Sequence, residues 1–211
     1  YNLEKENIML KILSYNLLII SFVLISCAKK DESSTTTSST TYATSKSGVT
    51  AAGSITLGSD TVSGTYATEC IGASSLTKPS DTTHVGYLIV ITGSSTFTKE
   101  RNFYTDSACT SLSLGWYNNY TSVVVGDASG SDYKVTYTQA NYTFFAKTTG
   151  GETYIESKFA GLDVTVGTES VITLGIPFYN LIKVSGTNFY FGEGEILAYP
   201  SELNSITYVK Q

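Results

Sequence analysis

The chain has 211 residues, only 15% of them charged, and a formal net charge of −5 at pH 7. It has no basic cluster beyond Lys29-Lys30, whereas a nucleic-acid-binding protein needs a concentrated basic face, so that class of partner is excluded. Sixteen Tyr and nine Phe stand against one Met and three Pro. Aromatic side chains suit a pleated surface, and this composition therefore predicts a β-rich fold.

The first residues have the composition of an export signal. Residues 1–8 contain acidic side chains, which are unusual at the start of a signal peptide, so we place the natural start at Met9. Lys11 then supplies a positive charge, and residues 12–25 form a largely apolar stretch. That stretch is shorter than the roughly 20 residues that span a bilayer, but it has the length of the apolar region of a signal peptide.

The apolar stretch ends at Leu24-Ile25-Ser26-Cys27. This motif resembles the lipobox of bacterial lipoprotein precursors, in which the Cys becomes the first mature residue and carries the lipid. The resemblance implies that residues 1–26 are a cleaved signal peptide and that Cys27 attaches the protein to a membrane effectively permanently. A plain secretory signal and a buried core helix are the alternatives. Ala28 follows Cys27, where some lipoproteins carry an inner-membrane retention Asp, so we expect the bacterial outer membrane, with the protein periplasmic or surface-exposed.

Residues 27–50 are rich in Ser and Thr. Such a segment buries little apolar surface, so we expect a lipidated tether that stays disordered. The remaining residues, 51–211, are enough for one domain with a full core.

From Ala51 onward, short extended runs alternate with Gly, Asn, Asp and Ser. We find no convincing helix of ten residues. Many short strands separated by turn signals predict an all-β domain, either a single antiparallel β-barrel or a β-sandwich. The candidate strands cover residues 64–70, 85–92, 96–104, 121–125, 132–138, 142–147, 153–159, 162–166, 178–184, 188–191 and 206–209.

Alternation within the candidate strands favours the barrel. Tyr133, Val135 and Tyr137 share one parity, whereas Tyr142 and Phe144 share the other. The buried face must therefore switch near residues 139–141, where we predict a turn or a bulge.

A second pattern concerns two charges in the strand at residues 96–104. Lys99 and Arg101 share a parity with Phe97 and Phe103. Either the charges point outward and a bulge intervenes, or they point into a lumen that is partly wet. A packed sandwich core would not tolerate unpaired charges, whereas a barrel of about eight strands can enclose one small ligand.

Cys70 and Cys109 are the two cysteines that remain beside Cys27. An exported protein reaches an oxidising compartment, so we predict a disulfide between them, with two buried free thiols as the alternative. A bridge that closes a loop of about 40 residues stabilises by roughly 3–4 kcal/mol in the chain-entropy model.

Three stretches of the folded part carry a family resemblance. They are Gly64-Thr65-Tyr66 with Cys70, the stretch from Phe97 through Tyr104-Thr105-Asp106 to Cys109-Thr110, and Asn188-Phe189-Tyr190-Phe191-Gly192-Glu193. Together they resemble the extracellular domain of the APC down-regulated family of Wnt inhibitors. The resemblance implies a lipocalin-like β-barrel with an apolar, lipid-accepting pocket.

Few residues could support catalysis or bind a metal. His84 is the one His, ahead of a strand, and no Gly-x-Ser-x-Gly elbow exists. Residues 127–132 are oxygen-rich but lack the bidentate Glu of a calcium loop, and Asp, Ser and Gly are ordinary turn residues. Glu193 and Glu195 share a face, yet carboxylates act on sugars only in a cleft. We therefore predict a non-enzymatic protein without a cofactor or a metal.

We expect a barrel that binds a small apolar or amphipathic ligand. The candidate ligand-binding side chains are Tyr66, Phe97, Phe103, Tyr133 and Tyr137. The alternative is a surface-displayed interaction or adhesion module, which would bind an extracellular protein through its outer face and loops. The abundant Tyr suits that role too, because Tyr supplies contact area at low entropic cost.

Overall fold

A computed structural model describes residues 40–211. The predicted signal peptide, the lipid acceptor Cys27 and the first part of the predicted tether lie outside the described residues. The described elements are β1 (Ile55–Leu57), β2 (Asp60–Val62), β3 (Thr65–Ala67), β4 (Ile71–Gly72), β5 (His84–Ile91), β6 (Phe97–Tyr104), β7 (Leu112–Ser129), β8 (Asp132–Ala146), α1 (Thr149–Lys158), β9 (Glu169–Ser185), β10 (Asn188–Gly192) and β11 (Leu203–Lys210).

Eight strands close into an antiparallel barrel. Their order is β3-β11-β10-β9-β8-β7-β6-β5, and β3 pairs with β5 to close the ring. The short β4 is an additional strand on β5, and β1 and β2 form a separate hairpin. The predicted single β-barrel is confirmed, with the up-and-down order expected of a lipocalin-like barrel, and the sandwich alternative is not adopted.

The predicted change of face in β8 is a bulge. In the pairing of β8 with β7, Tyr120 opposes Gln139 whereas Asn119 opposes Asn141, so the register shifts and Ala140 is the extra residue of β8. One residue is thereby added to the strand, so Tyr137 and Tyr142 both face the interior although their parity differs.

Two predicted strands are wrong, and so is the expectation that the domain has no helix of ten residues. Residues 153–159 belong to the ten-residue helix α1 rather than to a strand, and residues 162–166 form no strand. The Thr148 side chain caps the helix by accepting a hydrogen bond from the Gly151 amide at 3.1 Å. The helix is held mainly by tertiary packing, since its Ile155 is fully buried and α1 packs against β7 and β8.

The hairpin and the helix lie at opposite ends of β6. Ile55, Leu57 and Val62 of the hairpin join the apolar cluster that contains Phe97, the first residue of β6. At the other end, the ring of Phe103 lies 5.9 Å from that of Tyr154 in α1. Apolar side chains from elements outside the sheet thus pack against the barrel at both ends of β6.

The N-terminal strap (residues 41–49) packs against the outside of the barrel. The amide of Ala43 donates to the carbonyl of Thr68, and the amide of Cys70 donates to the carbonyl of Thr41. Ala43 is 2% exposed. Composition placed this segment in the tether, but in the structure the folded part includes residues from Thr40 onward.

The predicted disulfide is confirmed. Cys70 and Cys109 are bonded, with their Cα atoms 5.9 Å apart. The bridge joins the segment between β3 and β4 to the loop that follows β6, and it therefore links two regions 39 residues apart in sequence.

Candidate functional site

The five predicted ligand-binding side chains face the interior but do not surround a hollow. Tyr66, Phe97 and Tyr137 lie in the apolar cluster and are 2–3% exposed, and Tyr133 packs against its edge. The rings of Phe97 and Tyr137 are 5.3 Å apart in an edge-on contact. Phe103 is separate, at the α1 end of the barrel.

The apolar end of the barrel is filled. The hairpin residues Ile55, Leu57 and Val62 line a cavity there of about 10 Å³, together with Phe97 and neighbouring barrel residues. A space of that size holds about one water molecule, whereas small-molecule sites are typically about 300–1,000 Å³. In this conformation Phe97, one of the predicted ligand-binding side chains, therefore lines a space too small for a ligand of ordinary size.

A polar recess lies further along the same inner face. Lys99 of β6 pairs with Asn118 of β7, and Arg101 pairs with Trp116. Directly opposed residues share a face, and the next pair in this register, Phe97 with Tyr120, belongs to the apolar cluster. Lys99, Arg101, Trp116 and Asn118, hereafter the inner recess, therefore point inward, which resolves the two alternatives for the charges in favour of the interior.

Aromatic rings hold the two cations. The Nζ atom of Lys99 lies 5.2 Å from the ring centroid of Phe191. The guanidinium carbon of Arg101 lies 4.6 Å from the ring centroid of Phe103 and 5.7 Å from that of Tyr87. Such contacts stabilise a cation without using its N–H groups.

The inner recess is only partly buried. All four of its residues are partly exposed, although Glu100 and Asn102 on the opposite face of β6 are fully buried. Lys99 is nevertheless surrounded by protein, and this burial lowers the pKa of its ammonium group. The Glu193 carboxylate opposes that change, and the positive charge of Arg101 adds to it.

Several polar atoms of the inner recess have no partner among residues 40–211. They are Arg101 Nε, Trp116 Nε1 and Asn118 Oδ1, all buried. Gln139 Nε2, two register pairs away along the inner face, is also unpaired. A buried polar atom without a hydrogen bond costs about 1–3 kcal/mol, so the site keeps hydrogen-bonding capacity that the described fold does not use.

An aromatic wall adjoins these polar atoms. The Trp116 ring contacts Tyr142 at 5.7 Å, Phe144 at 5.2 Å and Phe159 at 5.6 Å between centroids. Phe159 is the C-terminal cap of α1. The recess thus joins two cations and unpaired donors to an apolar surface, an arrangement suited to a molecule with one polar and one apolar part.

The outer face of β6 carries the opposite arrangement. The Glu100 carboxylate is 0% exposed and accepts hydrogen bonds from Ser45 Oγ at 2.5 Å, the Lys46 amide at 2.9 Å and Ser47 Oγ at 2.5 Å. Asn102 Nδ2 donates a fourth at 2.9 Å. Glu100 is thus a fully bonded attachment point for the strap.

The other reactive side chains lie apart from the inner recess or at its edge. His84 is half-buried at the start of β5, with Nδ1 3.0 Å from Thr83 Oγ1. Glu193 is exposed and accepts a hydrogen bond from Asn204 at 3.0 Å, and Glu195 pairs through its backbone with Tyr179. Within residues 40–211, no group of three or more His, Cys, Asp or Glu side chains is placed to hold a metal ion.

Sequence reasoning missed Trp116 and Asn118 as partners of the two cations. The signal was present, because Leu114, Trp116, Asn118 and Tyr120 alternate in the way that an inward-facing strand requires. Residues 112–120 were not predicted as a strand, since Gly115 and the neighbouring Asn residues are poor strand formers.

The chain matches no model of a known protein family and shows no significant match to a curated protein. Among the described residues, no helix is both long and apolar enough to cross a membrane.

Proposed function

We propose that the chain is a non-enzymatic, membrane-anchored lipoprotein whose barrel binds a small amphipathic ligand at the inner recess. The observation that carries the proposal is the recess itself, which within residues 40–211 brings together two cations, unpaired polar atoms and an aromatic wall inside the barrel. Natural cores rarely keep such groups unsatisfied without a reason, and ligand sites typically combine apolar and aromatic walls with a few convergent polar groups.

The anchoring part of the proposal rests on the lipobox motif at Leu24-Ile25-Ser26-Cys27. The Cys70–Cys109 disulfide supports export, because disulfides form and persist in oxidising compartments. The bacterial outer membrane is the proposed location. Fractionation of cells that express Cys27→Ser tests the anchor: we expect a folded barrel that leaves the membrane fraction. A variant that stays membrane-bound at the wild-type level would overturn lipid anchoring at Cys27.

Ligand binding is tested on protein isolated from its own membrane. We expect native mass spectrometry to show a bound small molecule that is released on unfolding. The matched control is the double variant Trp116→Leu with Asn118→Leu, which should be isolated without a bound ligand. Wild-type protein that is empty after gentle isolation, and that takes up none of the amphiphiles extracted from the same membrane, would contradict a ligand-binding barrel.

One observation favours the alternative of an interaction module. The apolar end of the barrel has a cavity of only about 10 Å³, so that part of the interior has no room for a ligand of ordinary size. A module that binds an extracellular protein needs no hollow interior. Protease treatment of intact cells tests it, because a surface-displayed barrel would be released, whereas a protein that resists until the outer membrane is opened cannot be an adhesin.

A further inference from the structure

We propose that the inner recess recognises an anionic group, a carboxylate or phosphate, on the ligand. This inference rests on the proposed ligand-binding function and adds the charge of the ligand to it. Lys99 and Arg101 are neighbours on one face of β6, two residues apart, and both point into the barrel.

The charges of the recess do not balance. Lys99 is affected by one carboxylate, that of Glu193, and by the like charge of Arg101. Glu193 is exposed to solvent, and its carboxylate also accepts a hydrogen bond from Asn204. Within residues 40–211, the two neighbouring cations thus lie together with a single carboxylate acting on Lys99, in a chain whose overall charge is negative. Uncompensated charges inside a fold are unfavourable, and an anion bound between Lys99 and Arg101 would remove the imbalance.

The unused hydrogen-bonding groups are mainly donors. Arg101 Nε and Trp116 Nε1 are buried and unpaired within residues 40–211, and they belong to directly opposed residues of β6 and β7. An oxyanion accepts several hydrogen bonds at once, and bonds from charged donors are the stronger ones. The aromatic neighbours of Arg101 contact its guanidinium group through their rings, and these contacts do not use the Nε–H group that lacks a partner within residues 40–211.

The aromatic wall indicates where the rest of the molecule lies. Trp116 contacts Tyr142, Phe144 and Phe159 directly beside the donors. An anion with an apolar tail would place its charged oxygens on Lys99 and Arg101 and its carbon atoms against these rings. A free anion such as inorganic phosphate would use the donors but not the wall, so the two sources of the same chemistry can be separated.

The test uses Trp116, the one Trp of the sequence, as a fluorescent reporter inside the recess. The purified full chain is titrated with dodecanoate, with dodecanol and with inorganic phosphate, the two amphiphiles below their micelle concentrations. We expect saturable changes in Trp116 emission with dodecanoate at concentrations at least tenfold lower than with dodecanol. If inorganic phosphate binds as tightly as dodecanoate, the result would still support an anion site, and it would assign that site to a free anion rather than to a lipid.

Substitutions of Lys99 and Arg101 test whether these two residues bind the anion. Lys99→Met with Arg101→Met should weaken dodecanoate binding at least tenfold and leave dodecanol binding unchanged. The control, Lys134→Met with Lys147→Met, removes the same charge from the outer face and should bind like wild type. If the double variant does not fold, Arg101→Lys tests the inference instead. This substitution keeps the positive charge, so the variant should retain a clear preference for dodecanoate over dodecanol.

Two results would overturn the inference. If dodecanol binds as tightly as dodecanoate and neither responds to loss of Lys99 and Arg101, the anion site is refuted while the ligand-binding barrel stands. If no amphiphile or anion changes Trp116 emission and the variants match wild type, the proposed ligand function fails as well.

Discussion

The charged side chains on the two faces of β6 have opposite surroundings. On the outer face, Glu100 is sealed from water and accepts four hydrogen bonds. On the inner face, Lys99 and Arg101 keep contact with water and rest on aromatic rings, while Arg101 Nε lacks a partner within residues 40–211. A buried charge whose bonds are complete holds the fold together, and one whose bonds are incomplete is available to a ligand.

The difference has a direct energetic consequence. Removing one member of a complete buried network leaves its partners unpaired and destabilises the fold. Replacing an incompletely bonded charge with an apolar side chain of similar size removes a desolvation cost and can stabilise it. The two faces of one strand should therefore respond to charge removal with opposite signs.

The largest effect is expected on the outer face. Glu100→Ala leaves the strap donors Ser45, Ser47 and the Lys46 amide without their acceptor, and we expect the free energy of unfolding to fall by roughly 3 kcal/mol. Urea denaturation measures it, with the exposed Glu202→Ala as the control. A change no larger than that of the control would mean that the strap does not depend on Glu100.

A smaller effect of opposite sign is expected inside the barrel. Lys99→Met with Arg101→Met should raise the free energy of unfolding of the ligand-free protein by about 1–2 kcal/mol, because an unfavourable burial of charge is relieved. The comparison is with Lys134→Met and Lys147→Met on the outer face, measured in the same denaturant series. Destabilisation by the inner pair would show that the two cations are structural.

The smallest effect concerns the loop that carries Cys109. Its Asp106 carboxylate accepts hydrogen bonds from the amides of Ala108, Thr110 and Ser111, and these bonds, that of Ser111 first, lower the pKa of Asp106 to about 2. Because the folded pKa lies below the ordinary value, the contribution to stability is complete above about pH 4 and is lost as the pH falls towards 2.

NMR titration of the three donor amides follows the protonation of the Asp106 carboxylate. In the wild type, we expect the amide shifts of Ala108, Thr110 and Ser111 to move between pH 4 and about 2. In Asp106→Asn, which has no carboxyl group to titrate, they should stay constant over this window. Amides that move in the same way in both proteins would show that Asp106 does not control the loop.

Local patterns in the sequence predicted the features that depend on alternation. The closed barrel and the bulge near Gln139 follow from which side chains share a parity, whereas the same parity left two alternatives for Lys99 and Arg101, which the structure resolves in favour of the interior. The disulfide followed from the predicted export together with the number of cysteines. In each case the deciding information lies within a few neighbouring residues or in the composition.

Features decided by distant contacts were missed. Helix α1 has two Gly in its first turn and gains its stability from burying Ile155 against the barrel, which no local propensity records. The strap looks like disordered sequence, and it is ordered by Glu100, more than fifty residues away. The filled apolar end depends on a hairpin whose three buried side chains enter the barrel. Tertiary burial overrode composition in all three places.

The strict alternation of β6 also constrains how this protein can change in length. Adding or deleting one residue between Phe97 and Tyr104 would exchange the two faces of the following residues. If the change precedes Lys99, Glu100 would enter the lumen and lose its contacts with the strap, while Lys99 and Arg101 would face the strap, so strap attachment and the proposed ligand recognition would fail together. Insertions and deletions in related proteins should therefore fall in the flanking loops, residues 92–96 and 105–111, and a library of single-residue insertions across residues 92–111 would show the boundaries of tolerance.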